Sequence, residues 1–363
     1  MMNAMLPPLS IRGRLLEIPV VQGGMGVGIS RYRLAGSVAA AGGMGTLAAQ
    51  GLGNVSTLPV PEGTVRLRKR DDPHGWDALE QETRAAVELA GGRGVVAVNV
   101  MVAISHYARL VQAAVAGGAQ AIVSGAGVPL DLPGIVGDAD VALVPIVSSP
   151  RALKLLCRHW KEFHHGRQPD AVVVEGPLAG GHLGFRREDL ERPENQLEEL
   201  LPRIVEEGRK WGEFPVIAAG GVWDHADATR LLSLGAGAVQ LGTRFVITDE
   251  CDVAPFYKEL LLRTQRQQIT IVDSPVGMPA RVIRTALIER FENGDYPGFK
   301  CHYQCLETCV AEKVHYCIAD HLIDAARGDA NGFFFVGANG YRCREILPVS
   351  QLMQRLSAGE PGV

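Results

Sequence analysis

The stretch EGPLAGGHLGF (residues 175–185) sets one histidine, His182, behind the paired glycines Gly180 and Gly181, after the apolar run DAVVV and before the charged stretch RREDLE. An imidazole titrates near neutral pH, so in such a loop it can give or take a proton or orient an anion. The competing reading of the same residues is a tight turn whose histidine satisfies a loop carbonyl. Three more glycine-rich corners accompany it: QGGMGVG (22–28), AAGGVWDHAD (218–227) and LGTRFV (241–246). Backbone N–H groups freed of neighbouring side chains and aimed by a helix amino end bind phosphate, and a flat glycine loop lies well against an aromatic ring. Each corner alone fits an ordinary structural turn. Together they suit a phosphate-bearing planar cofactor.

A second constellation is sulfur. Cys301, Cys305 and Cys309 recur every four residues, with Cys317 eight further on, in CHYQCLETCVAEKVHYC. On a helix the first three line one face, and thiolates so grouped hold an iron–sulfur cluster or zinc. The spacing matches none of the strong metal signatures, and buried thiols packing as small hydrophobes are the plainer account. His159, His164 and His165 lie in or after a charged helix and read as solvated surface.

Residues that do chemistry need elements to place them. Eight short apolar runs rich in Val and Ile recur along the chain, at 18–22, 43–48, 95–100, 119–124, 141–147, 171–175, 215–220 and 237–242, each ending at Gly, Asn, Ser or Gln. Continuous apolar runs of this length suit parallel strands covered on both faces by helices. The segments between them carry helical patterns, such as PRALKLLCRHWKEF from Pro150 and DHADATRLLSLGA from Asp224, whose acid sits well as an N-cap. Eight such pairs predict a closed α/β TIM (β/α)8 barrel over residues 1–265, with its chemistry at the carboxyl ends of the strands and a phosphate site after strands seven and eight. An open doubly wound sheet is the competing architecture. The dinucleotide fingerprint is matched only formally, by GMGTLA (43–48), whose glycines begin a strand instead of following one. Residues 266–363 read as several short helices joined by Gly, Pro and Asn turns, a helical C-terminal extension packed on the barrel or a lid over it.

Composition narrows the partners. Of 363 residues, 47% are hydrophobic and 21% charged, which is ordinary globular usage. The net charge is −4 with no long basic run, so neither nucleic acid nor an anionic membrane surface is expected, and a small molecule is. No stretch reaches a membrane span or a secretion signal, which places the expected location in the cytoplasm. Seven cysteines, an odd number, point to reduced thiols.

The motifs VVQGGMG, LAGSVAAAGGMGTLAA, VSGAGVP, EGPLAGGHLGF, PVIAAGGVWD and AVQLGTRFVITDE, in chain order from about residue 18 to 290, resemble the nitronate monooxygenase (2-nitropropane dioxygenase) family. They resemble equally its close relatives, the flavin-dependent enoyl-acyl-carrier-protein reductases. The resemblance implies an FMN-dependent barrel. Carried onto matching positions, the backbone of Gly23, Gly24 and Met25 lines the flavin, and Asn99 and Ser124 contact it at the ends of the third and fourth strands. Glu175, Gly180 and Gly181 lie beside it. Ala219, Gly220 and Gly221, with Gln240, Gly242 and Thr243, hold its phosphate side. Lys154 is a further contact, with an exposed helix face as the equal alternative.

On this resemblance Gly180 and Gly181 let the backbone approach the isoalloxazine and hold His182 over the flavin face as the catalytic base or anion-orienting group for a nitronate, with O2 reoxidising the cofactor. The resemblance extends to a CLxxC…YC tail carrying Cys305, Cys309 and Cys317. It leaves open NAD(P)H-dependent enoyl-acyl-carrier-protein reduction and NAD(P)H:quinone reduction; the tail beyond residue 290 departs from the shorter reductase pattern and favours the nitronate oxidation. A flavin carrier that does not turn over is the non-enzymatic alternative. A homodimer is the default for such barrels.

Overall fold

Each of the eight apolar runs forms a strand, because burial on both faces rewards a continuous apolar sequence. In the computed structural model, which describes residues 5–59, 71–72, 74–307 and 309–359, the chain opens with an antiparallel hairpin of β1 (Leu9–Ile11) and β2 (Arg14–Leu16). The parallel barrel follows: β3 (Val20–Gln22), β4 (Met44–Ala48), β5 (Val95–Asn99), β6 (Ala121–Ser124), β7 (Ala142–Val147), β8 (Val172–Glu175), then, after a short β9 (Gly181–His182), β10 (Val216–Ala219) and β11 (Ala238–Leu241). The sheet closes where β11 pairs with β3, with Val239 opposite Val20.

Along β5 the alternation that a strand imposes divides two cores. Val95 and Ala97 face the barrel interior with Val21, Met44, Ala121 and Val144, whereas Val96 and Val98 face the surrounding helices. Ile11 and Leu16 of the hairpin join the interior cluster. Arg12 and Arg14 fasten the hairpin to Asp140 and Asp170, just before β7 and β8, so it closes the amino-terminal end of the barrel. The opposite end is left for a ligand.

The outer layer holds α1 (Tyr32–Ala40), α2 (Trp76–Ala90), α3 (Tyr107–Ala116), α4 (Leu132–Val136), α5 (Pro150–Phe163), α6 (Leu197–Arg209) and α7 (His225–Ser233). Local signals start two of them: Ser149 Oγ accepts from Ala152 N ahead of Pro150, and Asp224 Oδ1 accepts from Asp227 N at 3.0 Å. Between α1 and α2 the buried Arg31 and Glu82 pair at 3.2 Å, and Glu82 also accepts from Tyr32 N and Ser56 Oγ.

After β11 come α8 (Thr243–Val246) and α9 (Pro255–Arg263). The extension expected to be helical then begins with two strands, β12 (Ile269–Asp273) and β13 (Pro279–Ile283), which form an antiparallel pair. The Ser274–Met278 turn between them is closed by the Ser274 N to Met278 O bond, with Gly277 at a left-handed φ of +80°. β13 is buried along its whole length and pairs on its other edge with β9, Ala280 opposite His182 and Arg281 opposite Gly181. The remainder is α10 (Ala286–Glu292), α11 (Ile318–Arg327) and α12 (Val349–Ala358). α12 packs on α1, α7 and β3. A separate apolar cluster, including Phe291, Tyr316, Leu322 and Phe333, joins the extension to Val27 in the loop after β3. Among the described residues no helix is long and apolar enough to cross a membrane.

Candidate functional site

At the carboxyl ends of the barrel strands lies a cavity of about 690 Å³, in the range typical of cofactor and small-molecule sites. Its wall gathers residues from almost every strand end: Gly23, Gly24 and Met25 after β3, Asn99 at the end of β5, Glu175 at the end of β8, Gly180 to His182 on and before β9, Ala219 to Gly221 after β10, and Gln240, Gly242 and Thr243 at β11. Of the residues expected at the site, fourteen cofactor contacts and one histidine, all but Ser124 are in this wall. Ser124 is a correction: its hydroxyl donates to Val100 O at 2.8 Å and bonds Tyr107 Oη at 2.8 Å, fully buried behind the wall. The next residues, Gly125 to Gly127, face the cavity in its place. Lys154 lies on an exposed face of α5 and is also outside the wall.

The glycine loop after β3 is held in shape from beneath. Gln22 Nε2 donates to Ser30 Oγ at 2.8 Å and to Gly23 O, Gln22 Oε1 accepts from Thr46 N, and Met25 N donates to Ser30 Oγ at 2.9 Å. After β10, Gly220 and Gly221 take left-handed φ values of +99° and +88°, which only glycine adopts without strain. They leave bare N–H groups ahead of α7. Asn99 Nδ2 donates to Gly24 O at 3.4 Å, while Asn99 Oδ1 is buried without a partner. A buried orphan acceptor is costly and marks a place for a donor N–H on a ligand.

His182 is fixed by residues far along the chain. Its Nε2 lies 2.8 Å from Ser274 Oγ in the β12–β13 turn. Its ring meets that of Phe335 edge-on at 5.2 Å. Burial lowers its pKa to about 4, so the imidazole is neutral at neutral pH. Burial also pushes Glu175 up to about 7. The loop before His182 is tied by Arg281, whose guanidinium donates to the carbonyls of Pro177, at 2.7 Å, and Ala179. Asn339 Nδ2 donates to Gly221 O at 2.6 Å, and Gly337 N donates to Thr243 Oγ1 at 2.9 Å.

Gly180 and Gly181 line the cavity as expected, and packing gives them a second reason to lack side chains. A Cβ at Gly180 would lie 2.6 Å from the carbonyl carbon of Val336 and 2.7 Å from Gly337 N, and one at Gly181 would meet the Phe335 ring at 3.3 Å. The absent side chains admit the C-terminal segment against the loop. The extension is therefore part of the site wall, with Phe335, Val336, Gly337, Asn339 and Gly340 lining the cavity. Ser274, Phe335, Arg281 and Asn339 were missing from the sequence reading; the aromatic run FFFV ending in Gly337 was the available signal, since it has the strand-end form of the barrel runs.

The sulfur constellation is corrected too. Residues 301–307 and 309 are not helical, so the four-residue spacing does not carry the one-face geometry of a helix. Among the described residues, no three of Cys301, Cys305, Cys309 and Cys317 place their sulfurs within 4.8 Å of one another. Burial, and after it the neighbouring Cys317, Cys301 and Cys309, push the Cys305 thiol up to about 12, and burial pushes Cys317 up to about 11.

Fold and cavity together define a (β/α)8-barrel protein with a ligand site on its carboxyl rim. The chain belongs to the nitronate monooxygenase family, which matches it over residues 11–359. Among curated relatives it is 29% identical over 77% of its length to a Mycobacterium tuberculosis protein, the (3aS,4S,5R,7aS)-5-hydroxy-7a-methyl-1-oxo-octahydro-1H-indene-4-carboxyl-CoA dehydrogenase, of which 66% is covered. It is 31% identical over 35% of its length to a Staphylococcus saprophyticus protein named "Probable nitronate monooxygenase", of which 37% is covered. These matches span less than two thirds of the relatives' own length. Similar solved structures are FabK from Thermotoga maritima (TM-score 0.67, 25% identity, 93% of this chain and 91% of that one) and nitroalkane oxidase from Streptomyces ansochromogenes (TM-score 0.68, 23% identity, 93% and 94%), the latter a likeness of fold.

Proposed function

We propose that the chain is an FMN-dependent oxidoreductase that oxidises alkyl nitronates with O2. The observation that carries this reading is a neutral imidazole, His182, anchored by Ser274 on the wall of a cavity that glycine corners at Gly23, Gly24, Gly220, Gly221 and Gly242 also line. The residues present fit the cofactor. The orphan Asn99 Oδ1 suits a ring N–H, the loop of Gly23, Gly24 and Met25 suits a flat ring, and the N–H groups of Gly220, Gly221, Gly242 and Thr243 suit a phosphate. When bound, FMN supplies the electron acceptor for the substrate and is reoxidised by O2.

The protein's part is position and electrostatics. His182 enters as a hydrogen-bonding group without charge, and Ser274 fixes which ring nitrogen remains for the substrate. Phe335 holds the ring plane. Glu175, protonated below about pH 7, adds no negative charge of its own to repel a nitronate. The wall built by the C-terminal segment excludes water from one side of the cavity.

A second reading, reduction or dehydrogenation of an acyl thioester with a nicotinamide partner, is favoured by the CoA dehydrogenase relative, whose match spans more of the chain than that of the Staphylococcus saprophyticus protein. One experiment separates the two. The FMN-loaded protein is mixed anaerobically with propyl nitronate, NADH, NADPH or a crotonyl thioester, and flavin bleaching is followed. Bleaching by nitronate without nicotinamide supports the first reading; bleaching by NAD(P)H alone, followed by thioester turnover, replaces it with the second. A flavin bleached by none of them leaves a carrier, and a protein that takes up no FMN overturns all three.

A further inference from the structure

We propose that Asp131, His159 and His164 form a binding site for a divalent first-row transition metal, zinc by preference, on the outer wall of the barrel, where it clamps α4 to the carboxyl end of α5. One ligand atom from each of the three lies within 4.8 Å of the other two. They are not part of the cavity wall, so the site is separate from the one described above.

Three observations point to a ligand there. Two imidazoles and one carboxylate are the donor set that zinc and its neighbours accept, with a fourth position left for water. His164 Nε2 is buried and has no hydrogen-bond partner, a cost that a metal bond removes. Asp131 stands at the N-cap of α4, where an aspartate ordinarily accepts from the first-turn N–H groups, yet its side chain makes no such bond. Its carboxylate is exposed and available.

The elements are held together by apolar packing before any ion arrives. Trp160, fully buried beneath α5, donates from Nε1 to Pro129 O at 3.1 Å, two residues ahead of Asp131. The His164 ring packs over α4 at Gly134, where a Cβ would come within 3.2 Å of its Cε1. The His159 and His164 rings are 5.8 Å apart between centroids. Tetrahedral zinc with bonds of about 2.1 Å sets its ligand atoms about 3.4 Å apart. Rotation of the half-buried His159 and the exposed Asp131 closes the remaining gap.

The test is calorimetric titration of Zn²⁺ into untagged full-length protein, with Co²⁺ absorption as a report on ligand type. One equivalent should bind, with a cobalt spectrum lacking thiolate charge-transfer bands. Asp131→Asn and the double variant His159→Ala/His164→Ala should each weaken binding at least tenfold, while Cys305→Ser/Cys317→Ser keeps it. Zinc should raise the thermal midpoint of the wild type and leave that of the double-histidine variant unmoved; an unchanged midpoint of the exposed-site variant Asp131→Asn without zinc excludes a folding defect. Absence of saturable binding, or binding that survives in the histidine variant and disappears in the cysteine variant, overturns the proposal.

Discussion

Nε2 of His182 lies 2.8 Å from Oγ of Ser274, a residue 92 positions further along the chain. The two meet because β13 runs antiparallel to β9, setting Ala280 opposite His182 and folding the preceding turn back over the ring. A neutral imidazole has one donor and one acceptor nitrogen, so the partner at Nε2 decides what Nδ1 offers. Ser274→Ala should slow substrate-dependent flavin reduction about 5- to 10-fold, the value of one hydrogen bond of about 1–1.5 kcal/mol, without loss of FMN. His182→Ala should slow it further while FMN stays bound. Stopped-flow bleaching checks both, and unchanged rates in His182→Ala remove its role.

Glu175 gives the pH dependence. Burial raises its carboxyl from 4.5 to about 7, so it is neutral below that range and a carboxylate above it. The KM for an anionic nitronate should climb as pH rises through 7, and Glu175→Gln should flatten the profile. The same shift acts on stability in the cofactor-free protein. Between pH 4.5 and 7 the folded state keeps a proton that the unfolded state has released, so this group's contribution to stability falls as pH rises across that window. Thermal midpoints of Glu175→Gln should lack that decline.

Gly180→Ala probes the C-terminal wall. The added carbon meets the backbone at Val336 and Gly337, which have no flexible end to move aside. Overpacking of this kind costs about 1–3 kcal/mol. The variant should unfold at a lower temperature and hold FMN more weakly, read by melting and by flavin fluorescence; wild-type values for both would refute the packing role.

Arg281 supports the loop through two carbonyls, Pro177 and Ala179. Charged hydrogen bonds are worth roughly 1.5–3 kcal/mol each, and the acceptors are left bare when the donor goes. Arg281→Ala should destabilise the protein by about that amount. Arg281→Lys should recover little, since an ammonium lacks the planar fork. Denaturant titration of the two variants tests the difference.

The barrel was legible because its strands are buried on both faces, so each appears as an unbroken apolar run with a glycine or amide at its end; Val95–Asn99 is an example. The strand ends also located the glycine corners at Gly23, Gly24, Gly220, Gly221 and Gly242, whereas Asn99, Glu175 and Gln240 came only with the family resemblance and Gly125 to Gly127 went unnamed. The hairpin of β12 and β13 was not legible. ITIV is half-buried and Asp273 exposed, without the alternation that marks a strand, and PARVI begins with Pro279 and includes Arg281, a buried cation that two carbonyls receive. Ser274 and Phe335 belong to the site through pairing across the chain, which periodicity does not record. His159 and His164 read as solvated because helix pattern alone says nothing of Asp131 on the neighbouring element.

His182 hangs from a three-stranded patch, β12, β13 and β9, and not from the staves of the barrel itself. Drift in the tail can therefore re-aim the imidazole and recut the rim without disturbing a single barrel pairing. A graft of residues 266–342 between two such proteins would trade their substrate preference, while α12, seated on α1, α7 and β3, stays with its own drum.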